Sequence, residues 1–145
     1  MLKEAPDHHD AELVLKLYDL RREAVMRESL NAIHSKFWPR NADEALAVTA
    51  HDHPLNAAFR QTSSYWEMVY GMARHGIIHC DFLVENNGEG LILFARIEPY
   101  LDQLRKAGSP RAFRNAEWVV ANCGTAKSLM EGYRVRVKRA LESGR

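Results

Sequence analysis

The last third of the chain constrains the fold most. Apolar or small residues recur there at alternating steps of four and three: Ala112, Ala116, Val119, Cys123, Ala126, Met130, Tyr133, Val137 and Ala140. That spacing draws one stripe along a helix of about eight turns, with a coiled-coil-like seam. A helix carrying such a stripe must be sheathed by other helices. The seam keeps phase across Gly124, which predicts that the final helix runs through that residue unbroken.

Upstream, the pattern is helical between clear breaks. Asp10 is placed to cap a first helix with Leu13, Leu17, Leu20 and Ala24 on one face. Met26, Leu30, Ile33 and Phe37 then fall on another side, so a straight helix would touch neighbours on both flanks or would bend near Arg27 to Ser29. Trp38-Pro39 ends it, because the residue before proline is pushed out of the α region. Asn41 caps a short helix, and helical spacing resumes at Asn56 until His75-Gly76. A short helix covers His79 to Val84.

Asn87-Gly88 could turn a hairpin. Leu91, Phe94 and Ala95, however, continue helically into Ile97, Leu101 and Leu104, which predicts helix–loop–helix. Pro110 suits the start of the last helix. The expectation is one all-α domain over residues 1–145, a compact bundle of five to seven helices with a long C-terminal helix and a mobile lead-in at 1–9.

Charge is uneven. Residues 1–40 carry seven basic and seven acidic side chains, 41–105 four against nine, and 106–145 nine against three. A basic C-terminal helix packed beside an acidic middle accounts for this within one molecule. The net charge of +1 exerts no global pull on nucleic acid or membrane. The start has no apolar signal-like run and no 18-residue apolar stretch occurs, so neither secretion nor a membrane span is expected. Cys80 and Cys123, with no CxxC, suit a reducing compartment and a cytoplasmic location.

Candidates for chemistry are sparse. His75 and His79 are four apart, but Gly76 interrupts the helix that would align them. His51-Asp52, with His34 upstream and Asp81 or Asp102 downstream, resembles the ligand order of HD-type phosphohydrolases, all-helical enzymes whose divalent metal activates water. That resemblance implies a metal site at His34, His51, Asp52 and Asp81. Pro54, two residues beyond the pair, places it at a helix end or in a polar loop. No GxSxG, phosphate-cradling loop or paired ExxH is present.

Arg134 and Lys138, with Arg145 or Lys127, share one side of the last helix. They suffice for a weak electrostatic groove, not for sequence readout. Tyr65 and Trp66 are adjacent on a helix, so one is expected to be exposed and could anchor a partner.

The sequence therefore reads as a small helical binding or assembly module without catalytic activity, metal or cofactor, its partner a protein or a second copy. A metal-dependent phosphohydrolase of HD type is the alternative. A weak nucleic-acid binder using the basic C-terminal helix is a further one.

Overall fold

The computed structural model describes residues 2–144, and Met1 and Arg145 lie outside it. Its α-helices are α1 (His8–Arg22), α2 (Ala24–Lys36), α3 (Ala42–Ala47), α4 (Asn56–Arg74), α5 (Cys80–Asn86), α6 (Gly90–Ile97), α7 (Leu101–Lys106), α8 (Arg114–Asn122) and α9 (Gly124–Glu142), with a 3-10 turn at Glu98–Tyr100. The described residues contain no strand. The protein is all-α, with more helices than the five to seven expected, because the first and last expected helices are each divided in two and the turn at Glu98–Tyr100 separates α6 from α7. Among the described residues no helix is long and apolar enough to cross a membrane.

The first division lies at Glu23, earlier than the bend expected near Arg27 to Ser29. Glu23 leaves the helical region (φ −58°, ψ 143°), and its carboxylate accepts the Met26 N–H at 3.0 Å, so it caps α2. Asp7, not Asp10, caps α1: it accepts the His9 and Asp10 N–H groups, and Asp10 reaches back to the Asp7 N–H in a capping box. Asp10 is buried and also binds Lys3 at 2.6 Å and the His79 N–H at 3.2 Å. The described part of the lead-in is thus tied to the bundle, and α1 begins within it.

The second division overturns the unbroken final helix. Cys123 is extended (φ −116°, ψ 119°) and separates α8 from α9. Asp81, on α5, explains the break. Its Oδ1 accepts the Thr125 N–H at 3.1 Å and the Cys123 thiol at 3.0 Å, so a side chain from another helix caps α9. The stripe survives the break: Ala116 and Val119 are buried on α8, and Ala126, Met130 and Val137 are buried on α9. Alternating steps of three and four fit two helices meeting at an angle as well as one straight helix.

Pro110 does not open α8 either. Residues 110–113 form a turn, Phe113 takes a left-handed conformation (φ 57°), and Ala112 lies outside the helix. Glu67, on α4, then accepts the Asn115 and Ala116 N–H groups, each at 2.9 Å. Both C-terminal helices are therefore capped by carboxylates distant in sequence.

Helix α4 lies between α2 and α8, its most extensive neighbours, while α6 packs on α9 and also meets α4 and α8. Because α4 is covered on more than one side, Tyr65 and Trp66 are both buried, at 7% and 3% exposure. Tyr65 donates its hydroxyl to the Leu17 carbonyl at 2.6 Å, and Trp66 stacks on Tyr70. Neither ring is available as the exposed anchor the sequence suggested. Gly90 opens α6 against this aromatic wall. A Cβ there would lie 2.5 Å from Trp66 Cδ2 and from the Tyr70 hydroxyl, so glycine is required by close approach.

Candidate functional site

Helix α6 reads Gly-Leu-Ile-Leu-Phe-Ala-Arg-Ile and is buried almost all round. An apolar helix of this kind belongs in the centre of a protein. Its one charge, Arg96, is only 2% exposed. Burying a guanidinium costs several kcal/mol unless its donors are satisfied. Arg96 Nη1 donates to the Ile33 carbonyl at 2.9 Å and to the Phe37 carbonyl at 3.1 Å, the carbonyls that end α2. The negative end of the α2 dipole faces the cation. Trp38 lies flat beneath the guanidinium carbon, 3.6 Å from ring centroid to carbon. Arg96 Nη2 stands 3.5 Å from His34 Nδ1.

Beside this group, α2, α4 and α6 line a half-open cavity of about 310 Å³, the volume of about ten waters. Leu30, Ile33, Trp66, Ile92 and Leu93 supply its apolar wall. Asn31, His34, Thr62, Glu89 and Arg96 supply its polar groups. Thr62 distinguishes the cavity. It is 2% exposed, and its hydroxyl has no hydrogen-bond partner among the described residues. The next two hydroxyls of α4 behave as serines in helices usually do, Ser63 bonding back to the Phe59 carbonyl and Ser64 to that of Arg60.

Three larger depressions lack such a group. One, of about 490 Å³, lies between α4 and the turn before α8, and its polar side chains on α4 are largely committed. Asn56 binds the Val48 carbonyl, Arg60 binds Asn56, and Glu67 caps α8. Burial raises the Glu67 carboxyl above its ordinary value, against the pull of the N–H groups it accepts. Another, of about 590 Å³, lies along α7 and α8 among Glu98, Asp102, Gln103 and Lys106, and the third, of about 520 Å³, lies along α8 beside Arg74 and Arg105.

The residues named from sequence are scattered. His34 lines the cavity from α2, His51 and Asp52 sit exposed in the turns between α3 and α4, and Asp81 is engaged with Cys123 and α9. Among the described residues no three His, Cys, Asp or Glu side chains converge to hold a metal, so the HD-like set is not assembled. Arg134 is clamped by Glu98 through two hydrogen bonds of 2.9 and 2.7 Å, and Lys138 is exposed. The basic stripe also invoked Arg145, which lies outside the described residues.

Sequence reasoning missed Arg96 and Thr62. A single arginine within the run Leu91–Ile97 was a legible signal of buried charge; nothing in the sequence marked Thr62.

Fold and site together define an all-helical bundle with a cleft between α2, α4 and α6, lined by apolar side chains and by the polar groups of Asn31, His34, Thr62, Glu89 and Arg96. The chain belongs to the DUF4760 family, described as a domain of unknown function, whose model matches residues 6–123. No curated protein and no solved structure matches it. The family match takes in α1 to α8 and every residue of the cleft.

Proposed function

We propose that this protein is a cytoplasmic binding module that takes a small organic carboxylate with an apolar body into the α2–α4–α6 cleft. The observation that carries the reading is the buried hydroxyl of Thr62, a residue that lines the cleft, which has no partner among the described residues. A buried hydroxyl left unbonded costs about 1–3 kcal/mol, so its retention beside a cavity fits a ligand that bonds it. Arg96 and His34 supply positive or hydrogen-bonding ends for an anion. Trp66 and the Leu30–Ile92 side supply an apolar wall. A cleft this small holds roughly ten non-hydrogen atoms, for which about 0.3–0.6 kcal/mol per atom corresponds to dissociation constants from about ten millimolar to tens of micromolar.

Titration calorimetry with 3-phenylpropionate and 2-phenylethylamine tests the reading. The acid should bind with one site, and Thr62→Val should weaken it several-fold. The amine, which brings like charge toward Arg96, should not bind. Equal binding of both, or acid binding indifferent to Thr62→Val, would refute the proposal.

A second reading, self-association, is favoured by apolar side chains left in solvent where α1 meets α2. Leu15 is 66% exposed and Val25 56%, with Tyr18 and Leu20 about half exposed. Light scattering across a concentration series tests it: a dimer that Leu15→Lys dissociates supports it, and a monomer at every concentration refutes it.

A further inference from the structure

The cleft carries opposite charges at its two ends, and the helices fix their order. Helix α6 lines it with Glu89, which has helical dihedrals (φ −59°, ψ −31°) just before the first turn, and with Ile92, Leu93 and Arg96. These positions are i, i+3, i+4 and i+7, so they share one face of the helix. At about 1.5 Å per residue, Glu89 and Arg96 stand about 10.5 Å apart along the axis, with the two apolar side chains between them. Helix α4 crosses the same cleft in the opposite direction. Its Phe59 meets Phe37, whose carbonyl Arg96 binds, while Trp66 lies where a Cβ on Gly90, the neighbour of Glu89, would fall. Thr62 is one turn before Trp66, between the two ends.

Glu89 is exposed, gives α6 no side-chain cap and forms no ion pair among the described residues. Arg21 lies over the rings of Tyr18 and Trp66, the second at 5.8 Å, so the Trp66 wall already accepts a cation.

Resting on the carboxylate reading of the cleft, we infer that the ligand is an amino carboxylate with its charges at opposite ends of an apolar body. Its carboxylate lies toward Arg96 and Thr62, and its ammonium group toward Glu89 and Trp66. A simple carboxylate adds a second negative charge to a cleft that already holds Glu89, whereas a dipolar ligand complements both ends. The α6 dipole places about half a positive charge near Glu89, and the full charge of the carboxylate outweighs it. An amine without a carboxylate leaves the Thr62 hydroxyl unbonded, so 2-phenylethylamine stays unbound. Because Glu89 is exposed, the gain is that of a solvent-exposed ion pair, about two- to five-fold in affinity.

Titration calorimetry at low salt tests the inference with 3-(4-aminomethylphenyl)propionate and its uncharged counterpart, 3-(4-hydroxymethylphenyl)propionate. The aminomethyl acid should bind about two- to five-fold tighter. Glu89→Gln should erase that difference while keeping the helical spectrum and leaving the hydroxymethyl acid bound at least as tightly as before. If 3-phenylpropionate binds but the aminomethyl acid has no advantage over the hydroxymethyl acid, the inference is overturned and the carboxylate reading stands. An advantage that survives Glu89→Gln overturns it in the same way. Failure of all three acids to bind overturns both.

Discussion

Replacing Thr62 with valine probes the cleft without a ligand. Valine has nearly the shape of threonine and a similar helix propensity, so the substitution changes little except the hydroxyl. That hydroxyl is buried and has no partner among the described residues. Removing it relieves a desolvation penalty of about 1–3 kcal/mol. The lower end of that range, about 1 kcal/mol, corresponds to roughly 2–4 °C in melting temperature for a chain of this size.

Tyr65→Phe provides the opposite sign on the same helix. It deletes a hydroxyl that donates to the Leu17 carbonyl at 2.6 Å, at an expected cost of about 1–2 kcal/mol. Urea denaturation followed by circular dichroism measures both, and unchanged m-values confirm that stability alone has moved. Should Thr62→Val destabilise the protein as much as Tyr65→Phe, the hydroxyl has a protein partner and the reasoning about the cleft fails.

Gly90→Ala should destabilise by about 1–3 kcal/mol through overpacking, since its Cβ would meet Trp66 and Tyr70 at 2.5 Å. Gly132→Ala, in open space on α9, should stabilise by about 0.5–1 kcal/mol; thermal melts of the two should move in opposite directions. Arg96→Ala should cost about 3 kcal/mol or more, because it takes the buried donor from the Phe37 carbonyl and leaves the Ile33 carbonyl only the Phe37 N–H, and a melting temperature within a degree or two of the parent would contradict that role. Asp81 is held below its ordinary value of 3.8, first by the Cys123 thiol and then by Thr125. A depressed carboxylate contributes stability above the ordinary value and loses it as pH falls through the depressed one. Asp81→Asn should therefore be less stable at neutral pH and lose less stability on acidification below about pH 4, as read from melts across that range.

Fold class was legible because it rests on periodicity, which burial enforces residue by residue. The stripe from Ala116 to Val137 does face the interior. The breaks at Glu23 and Cys123 were not legible, because a seam at alternating steps of three and four is indifferent to a one-residue interruption, and the carboxylate explaining the second break lies on α5. The caps that Glu67 and Asp81 supply are tertiary contacts, invisible to a reading that looks for Ser, Thr, Asn or Asp beside the helix start. Tyr65 and Trp66 were misjudged for a related reason. Adjacent helical residues diverge by about 100°, which excludes joint burial only for a helix covered on one side, and α4 is covered on several. Arg96 could have been read from its place in an apolar run. Thr62 could not, since its significance lies in a bond it does not make.

Amide chemical-shift mapping with 3-phenylpropionate tests the central claim most directly. Residues on the three walls of the cleft, Leu30 to His34 on α2, Thr62 and Trp66 on α4, and Ile92 to Arg96 on α6, should shift together along one saturable curve, and Thr62→Val should weaken that curve. Shifts confined to the depression between α4 and the turn before α8, or none as the acid approaches its solubility limit, would contradict a binding site between α2, α4 and α6.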